Sequence, residues 1–179
     1  MPELRLFIGP MFGGKTTKLL SALERYQYQN KKTILFKPDI DSRYSNEKVV
    51  THQGHDKESI RVKTGTDIIN HSSNVDIIAV DELFMIPGSA SAVLELFKKG
   101  KTILISTLQL SSHPAPLREV QEIMPWATSI EICPAVCSKC ESDAYYTRRL
   151  VAGDSIVEVG GSESYTPLCY DHYHELRKD

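Results

Sequence analysis

Residues 9–16 read GPMFGGKT, a sequence that fits the G-x-x-x-x-G-K-[ST] pattern of a phosphate-binding loop. Glycines let such a loop turn its backbone N–H groups toward phosphate oxygens, and the helix that follows presents its positive end. Lys15 would reach the outer phosphates, and the hydroxyl of Thr16 would bind Mg²⁺. A chance glycine-rich turn is disfavoured, because the segment follows an apolar run and opens a helical pattern. The residues predicted to bind ATP and its phosphates here are Gly9, Pro10, Met11, Phe12, Gly13, Gly14, Lys15, Thr16 and Thr17.

Two acidic residues end the apolar segment 75–82, which reads VDIIAVDE. In nucleotide-binding folds a buried strand often ends at the carboxylate that assists Mg²⁺, and Asp81 is predicted to take this role. Glu82 could then accept a proton from an attacking hydroxyl group or water. Two solvated acids at a strand end are the plain alternative. Together the two motifs predict an ATP or GTP site, without separating kinases, hydrolases and motors.

Four residues in the last third of the chain have the spacing of a zinc site. CSKC and CYDH each hold two potential ligands separated by two residues. Because protein would fill all four positions of a tetrahedral ion, the pattern predicts a closed, structural site rather than a catalytic one. His174 is a weaker candidate than His172 for the fourth position, and Cys133 is predicted to be buried outside the site. The predicted ligands are Cys137, Cys140, Cys169 and His172.

The chain between the two ligand pairs must leave the metal and return to it. This stretch contains VGGSESYTP at 159–167, where paired glycines allow the backbone to approach a ligand closely and Tyr165 offers a flat ring with one hydroxyl. Two interpretations stay open on these residues alone. The stretch is either a tethered flap over a planar substrate or an ordinary zinc-ribbon hairpin.

Apolar segments alternate with helical patterns through the first two thirds of the chain, which predicts an α/β fold with a parallel sheet covered on both faces. A polar segment at 38–56 is predicted to be a long loop. From about residue 128 the pattern changes to short β-rich runs, so we predict an ATP-binding domain at 1–128 and a zinc-binding domain at 129–179. The predicted strands are 4–8, 32–37, 59–63, 75–82 and 101–107, and the predicted helices are 15–30, 65–72 and 88–100.

The composition agrees with a folded protein that has no strong overall charge. The 179 residues are 41% hydrophobic and carry a formal net charge of -2. This balance disfavours a protein that coats nucleic acid or binds an anionic membrane. No targeting or membrane-spanning segment is evident, which predicts a soluble, cytoplasmic protein. In that compartment the four cysteines favour metal binding over disulfides.

The full set of motifs resembles one family. GPMFGGKTT, KPDIDSRYS, VDE, AVCSKC, YYTRRL and VGGSESY followed by C-x-x-H, in this order, resemble the type II thymidine kinases, a zinc-containing family of animals, bacteria and large DNA viruses. The resemblance covers essentially the whole chain. It implies a RecA-like α/β domain and a small zinc domain that bears a lasso loop at about 151–168. It also implies transfer of the γ-phosphoryl group of ATP to the 5′-hydroxyl of thymidine in nucleotide salvage.

The resemblance implies roles for individual residues. Glu82 would be the base that takes the 5′-hydroxyl proton, and Arg43, Asp41 and Arg149 would lie near the phosphates. It further implies ATP, Mg²⁺ and a structural Zn²⁺, a homotetramer, feedback inhibition by thymidine triphosphate, and no nucleic-acid or membrane partner. The residues implied to bind the nucleoside are Met11, Met85, Leu108, Ser112, Leu117, Thr147, Val159, Gly160, Gly161 and Tyr165.

Four positions depart from the family pattern. Phe84 stands in place of a glutamine, Met85 in place of an aromatic residue, Ser112 in place of a phenylalanine, and Leu117 where another aromatic residue is common. A less aromatic pocket suggests a second hypothesis, a kinase for another pyrimidine deoxynucleoside or for several. A third hypothesis, a nucleic-acid-dependent ATPase with a zinc ribbon, is disfavoured because phosphate-backbone binding needs clustered basic residues.

Overall fold

The structure is a computed structural model that describes residues 1–39, 48–50, 56–112, 115–151 and 160–175. Arg43, Asp41 and Val159 lie outside the described residues. The strands are β1 (Leu4–Gly9), β2 (Thr33–Pro38), β3 (Lys48–Val50), β4 (Asp56–Glu58), β5 (Ile60–Val62), β6 (Ile77–Val80), β7 (Thr102–Leu108), β8 (Ser129–Ile132), β9 (Ala135–Val136), β10 (Asp143–Ala144), β11 (Tyr146–Arg149) and β12 (Tyr165–Leu168). The helices are α1 (Lys15–Tyr28), α2 (Gly65–His71), α3 (Ser89–Lys98), α4 (Arg118–Ile123) and α5 (Tyr170–Glu175), with 3₁₀ turns at Leu83–Met85 and Met124–Trp126.

A six-stranded sheet forms the centre of the molecule, in the order β5-β2-β6-β7-β1-β8. All five neighbouring pairs are parallel. Parallel strands end at the same edge of a sheet, so the residues that follow β1, β6 and β7 meet there although they are far apart in sequence. The predicted phosphate loop at 9–16 and the acidic pair at 81–82 both lie at this edge.

Helices cover both faces of the sheet, which confirms the predicted α/β architecture. On one face, Leu19 and Leu23 of α1 are buried against Phe7. On the other, Ile68 of α2 and Val93 of α3 belong to the larger core cluster. Each fully buried leucine or isoleucine contributes about 1.5–3 kcal/mol, so these faces hold the sheet and its edge in place. None of the described helices has both the length and the apolar character that a membrane crossing requires.

The five strands and three helices predicted before residue 108 each overlap an observed element of the predicted type. The predicted loop at 38–56 is wrong in one part, because β3 lies within it and pairs antiparallel with β4. A three-residue strand is too short to show a period-2 pattern, so the sequence carried no usable signal for it.

The strand that follows residue 128 joins the central sheet. β8 pairs in parallel with β1, from Arg5 opposite Ser129 to Ile8 opposite Ile132. The sheet therefore extends four residues past the predicted division of the chain. As the edge strand, β8 leaves Ile130 and Ile132 exposed by 43% and 54%.

Beyond β8 the chain forms two small antiparallel ladders and a short helix. β9 pairs with β10, β11 pairs with β12, and α5 packs against the second ladder. Their buried side chains form a separate core, which we call the C-terminal cluster. It consists of Ala135, Cys137, Ala144, Leu168, Cys169 and Tyr173.

Candidate active site and metal centre

The phosphate loop spans the gap between the end of β1 and the start of α1. Gly14 precedes the helix with φ of 73°, a left-handed conformation that glycine adopts without steric cost. Gly9 and Gly13 are needed for a different reason. A Cβ atom on either one would lie 2.2 Å from the carbonyl oxygen of Cys133, just beyond β8. The loop is therefore folded tightly over the backbone of Cys133, and two of its glycines serve this close approach.

Cys133 was predicted only to be buried, and its side chain is 4% exposed. Its backbone has a role that the sequence did not reveal. The Cys133 N–H donates to the Ile8 carbonyl at 2.7 Å, which continues the β1–β8 pairing to the base of the loop. Every residue has a backbone carbonyl, so this contact does not require a particular residue type. No sequence signal could therefore have identified it.

Replacing Gly13 with Ala is expected to weaken ATP binding by at least about tenfold, because the new methyl group collides with backbone that cannot swing away. Isothermal titration with ATP and Mg²⁺ measures this. Gly100→Ala is the matched control, since Gly100 also has positive φ, at 85°, but a Cβ there meets nothing within 4 Å. ATP affinity of Gly13→Ala equal to that of the control would contradict the steric argument.

Lys15, Thr16 and Asp81 converge beside the loop. Lys15 is buried, and its ammonium donates to the Pro10 carbonyl at 2.6 Å. The Thr16 hydroxyl donates to Asp81 Oδ1 at 3.0 Å, and the Ser106 hydroxyl donates to the same oxygen. The structure thus places a hydroxyl and a carboxylate side by side at the start of α1, as a Mg²⁺ site in a phosphate-loop enzyme requires.

Ser106, which contacts the predicted site residue Asp81, was missed by the sequence predictions. It lies on β7, where Ile105 pairs with Val80 of β6, so it reaches the same edge as Asp81. Polar residues at the end of the otherwise apolar segment 101–107 were the available signal.

Glu82 directly follows Asp81 and has a strained backbone. Its φ of 52° and ψ of 45° lie in the left-handed region, which costs a non-glycine residue about 1–2 kcal/mol. The carbonyl of Glu82 accepts a hydrogen bond from the Met85 N–H at 3.0 Å, which closes the 3₁₀ turn Leu83–Met85. Such strain is typical of functional positions, where it fixes the direction of a side chain.

Glu119 of α4 stabilises the segment that follows Glu82. Its carboxylate accepts hydrogen bonds from the Gly88 N–H at 2.9 Å and the Ala90 N–H at 2.7 Å, and so caps the start of α3. The hydroxyl of Ser89 lies 3.1 Å from the Leu83 carbonyl oxygen and 3.2 Å from Glu119 Oε2. Neither residue was predicted, because the cap comes from a separate helix and not from the local sequence.

Three of the predicted nucleoside-binding residues come together. Met11, Leu108 and Leu117 pack in one apolar cluster with Phe84 and Val120. Phe84, one of the four residues that depart from the family pattern, therefore supplies an aromatic ring to this cluster. Met85 is buried in the adjacent turn, and Ser112 is half-buried in the segment after β7.

Residues of β11 and β12 lie near this cluster, because Thr147 contacts Met11. Thr147 of β11 is buried, and its hydroxyl accepts a hydrogen bond from the Met11 N–H at 2.9 Å. Tyr165 is buried opposite Arg149 in the β11–β12 ladder. A Cβ on Gly160 would lie 3.3 Å from the Tyr165 ring, so the described end of the predicted lasso, which includes Gly161, passes close to it.

The four predicted zinc ligands lie together. Their ligand atoms are all within 4.8 Å of one another. Cys140 Sγ lies 3.7 Å from Cys169 Sγ, and His172 Nδ1 lies 3.7 Å from Cys137 Sγ and 3.2 Å from Cys169 Sγ. A tetrahedral zinc ion holds its sulfur and nitrogen ligands about 3.5–3.8 Å apart. The donor set therefore fits zinc in type, and the two separations of 3.7 Å lie in this range.

Backbone groups around the metal centre favour an ionised thiol. Burial opposes ionisation of Cys137, but the N–H groups of Cys169, Lys139 and Cys140 donate to its sulfur and lower its pKa to about 6. The pKa of Cys169 is raised. The backbone N–H of His172 favours its thiolate, but burial and the neighbouring Cys140 and Cys137 outweigh that hydrogen bond. A cation among these sulfurs would relieve the repulsion between them.

His174 points into a different environment from His172. Its ring lies 4.3 Å from the ring of Tyr170 and 6.2 Å from that of Tyr146, centroid to centroid. It therefore packs in an aromatic group beside the metal centre, while His172 joins the three cysteines.

The chain thus brings together a glycine-rich loop, a hydroxyl–carboxylate pair and a strained glutamate, and it carries a Cys₃His cluster that could hold a metal ion. The family model for thymidine kinases matches residues 2–173, which is nearly the whole chain. This match confirms the resemblance seen in the motifs. The chain belongs to the thymidine kinase family, whose activity is the ATP-dependent phosphorylation of thymidine.

Proposed function

We propose that this thymidine kinase uses Glu82 as its general base, with residues 9–17 and Asp81 holding ATP and its metal ion. The observation that carries the proposal is the convergence of Lys15, Thr16, Asp81 and Glu82 at one edge of the sheet. Phosphoryl transfer needs positioning, charge neutralisation and one correctly placed base, and these four residues supply each of them.

Each residue has one task in this scheme. The loop N–H groups and Lys15 bind the phosphate oxygens, and Lys15 exchanges the Pro10 carbonyl for a phosphate when ATP is bound. Mg²⁺, when bound, supplies positive charge next to the transferred phosphoryl group. Thr16 and Asp81 would hold that ion, while Ser106 orients the Asp81 carboxylate through its hydrogen bond. Glu82 accepts the proton of the 5′-hydroxyl as that oxygen attacks.

We propose that Phe84 compensates for the aromatic residues lost from the nucleoside pocket. Its ring packs with Met11, Leu108 and Leu117, the positions implied to surround the base. A pocket of this make-up favours thymidine, whose methyl group gains from apolar contact. The second candidate, a broader pyrimidine deoxynucleoside kinase, rests on Met85 and Ser112, which replace larger aromatic groups.

An ADP-release assay with ATP, Mg²⁺ and one nucleoside at a time separates these candidates. We expect release with thymidine and, more weakly, with deoxyuridine, and little with deoxycytidine or purine deoxynucleosides. Equal efficiency with deoxycytidine would favour the broader kinase. ADP release that needs single-stranded DNA instead of a nucleoside would reverse the assignment.

We propose that the Cys₃His centre binds structural zinc. The support is the fit of four ligand atoms to a tetrahedral ion, with all positions filled by protein. The ion would anchor both ends of the predicted lasso, because Cys140 and Cys169 flank it in sequence. Three thiol ligands also suit a reducing compartment such as the cytoplasm.

We propose a homotetramer, for which the exposed edge of the sheet supplies an apolar surface. Ile130, Ile132 and Val136 are exposed by 43%, 54% and 63%, and an edge strand leaves backbone groups ready to pair. Light scattering after gel filtration is expected to give the mass of four chains. Ile132→Lys is expected to give a smaller assembly, and a wild-type monomer at micromolar concentration would contradict the proposal.

A further inference from the structure

The phosphate loop is held by the C-terminal part of the chain at three separate points. The backbone of Gly9 and Gly13 lies against the Cys133 carbonyl. The Met11 N–H donates to the Thr147 hydroxyl. The Phe12 side chain packs against the C-terminal cluster. The partners in all three contacts lie at residue 133 or beyond, so the conformation of the loop depends on how this later part of the chain is folded.

Phe12 makes the contact nearest to the metal centre. The C-terminal cluster that receives its ring includes two of the four ligand residues, Cys137 and Cys169. Phe12 also has φ of 67°, which is the left-handed region and costs a non-glycine residue about 1–2 kcal/mol. A residue keeps such a backbone conformation only where surrounding contacts compensate for it. The packing of the Phe12 ring on the C-terminal cluster is such a contact.

The backbone direction at Phe12 decides where the loop N–H groups point. Phosphate binding requires successive N–H groups to converge on one anion, and a left-handed residue within a loop is one way to build that concave arrangement. If the C-terminal cluster loosened, Phe12 could relax to negative φ and the N–H groups would diverge. The cluster is small, and a metal ion bound to two of its members would contribute much of its stability.

We propose that Phe12 is a positioning residue that links the metal centre to the ATP-binding loop, so that metal occupancy raises the affinity for ATP. The inference rests on the proposed assignment of residues 9–17 to ATP. The inference gives the metal a second role, in ATP binding, besides anchoring the predicted lasso. Because coupling between two ligands is reciprocal, ATP must raise the affinity for the metal by the same factor by which the metal raises the affinity for ATP.

The wild-type protein tests the coupling directly. Zinc release to a chelating dye is followed with and without saturating ATP, in the absence of thymidine. We expect ATP to reduce the equilibrium release of zinc by about tenfold or more. We also expect protein without zinc to bind ATP with a higher Kd than protein with zinc. Zinc release that is independent of ATP would overturn the inference.

Substitution of Phe12 tests the route of the coupling. Phe12→Ala, loaded with one zinc per chain, is expected to raise the Kd and KM for ATP by about tenfold or more with a much smaller change in kcat. Phe12→Leu should restore part of the affinity because it keeps an apolar contact, and it serves if the alanine variant fails to fold. Phe97→Ala is the matched control, since Phe97 packs against the larger core cluster, which includes Ile68 of α2 and Val93 of α3.

Two results keep this inference separate from the proposed function. A zinc-loaded wild-type protein that does not bind ATP would overturn the assignment of the loop, and the inference with it. Wild-type ATP binding together with an unchanged Kd in the zinc-loaded Phe12 variants would overturn the inference alone.

Discussion

Replacing Glu82 with Gln is expected to lower turnover with thymidine by about 10² to 10⁴-fold while ATP binding stays nearly unchanged. Glutamine keeps the size of the side chain but cannot accept the proton of the 5′-hydroxyl. Glu82 lies outside the loop proposed to hold the phosphates. Its charge should therefore affect the affinity for ATP much less than it affects turnover. Steady-state ADP release gives kcat, and isothermal titration gives the Kd for ATP.

Two further variants sharpen this test. Glu95→Gln removes an exposed carboxylate on α3 and should leave kcat unaltered. Glu82→Gly also removes the carboxylate, so it should be as inactive as Glu82→Gln. Because glycine adopts a φ of 52° without strain, this variant should be more stable than Glu82→Gln. Turnover of Glu82→Gln close to that of the wild type would remove Glu82 from the role of base.

Replacing Cys140 with Ala is expected to abolish stoichiometric zinc binding and thymidine-dependent turnover together. Cys140 is exposed, so the substitution leaves no cavity and its effect reports the loss of a metal ligand. Structural zinc sites contribute on the order of 10 kcal/mol to folding, far more than most side chains. We expect the β9–β12 region to unfold and the free energy of unfolding to fall by several kcal/mol. Metal analysis and thermal unfolding measure the two effects.

Cys133→Ala is the matched control for the cysteine chemistry. Cys133 is buried in the cluster that packs Leu19 and Leu23 of α1 against Phe7. Its replacement should therefore cost about 1–2 kcal/mol for the small cavity but leave one zinc per chain. Its backbone carbonyl, which contacts the phosphate loop, stays in place. Full zinc occupancy in Cys140→Ala would show that the centre is not a four-ligand zinc site.

The residue types and short spacings were enough to predict which chemistry the chain can carry. The phosphate-loop pattern, the acidic pair at 81–82 and the two ligand pairs are local signals, because each depends on residues close together in sequence. The alternation of apolar strands with helical patterns likewise predicted the parallel sheet, since each strand is buried on both faces.

The pairing of β8 with β1 could not be predicted in the same way. Ile130 and Ile132 alternate with polar residues in TSIEIC, which is the pattern of a half-buried strand in any sheet. Its parallel place at the sheet edge depends on β1, more than a hundred residues earlier in the chain.

The contacts that complete the site were decided by the tertiary structure alone. Thr16 meets Asp81 across 65 residues, Ala90 meets Glu119 across 29, and Met11 meets Thr147 across 136. Parallel strands bring such distant segments to one edge, and side chains and carbonyl groups that carry no motif then become neighbours. The amino-acid sequence by itself determined the reactive groups. Their distances, the left-handed backbone at Phe12 and Glu82, and the packing of Phe12 on the C-terminal cluster arise only when the chain is packed.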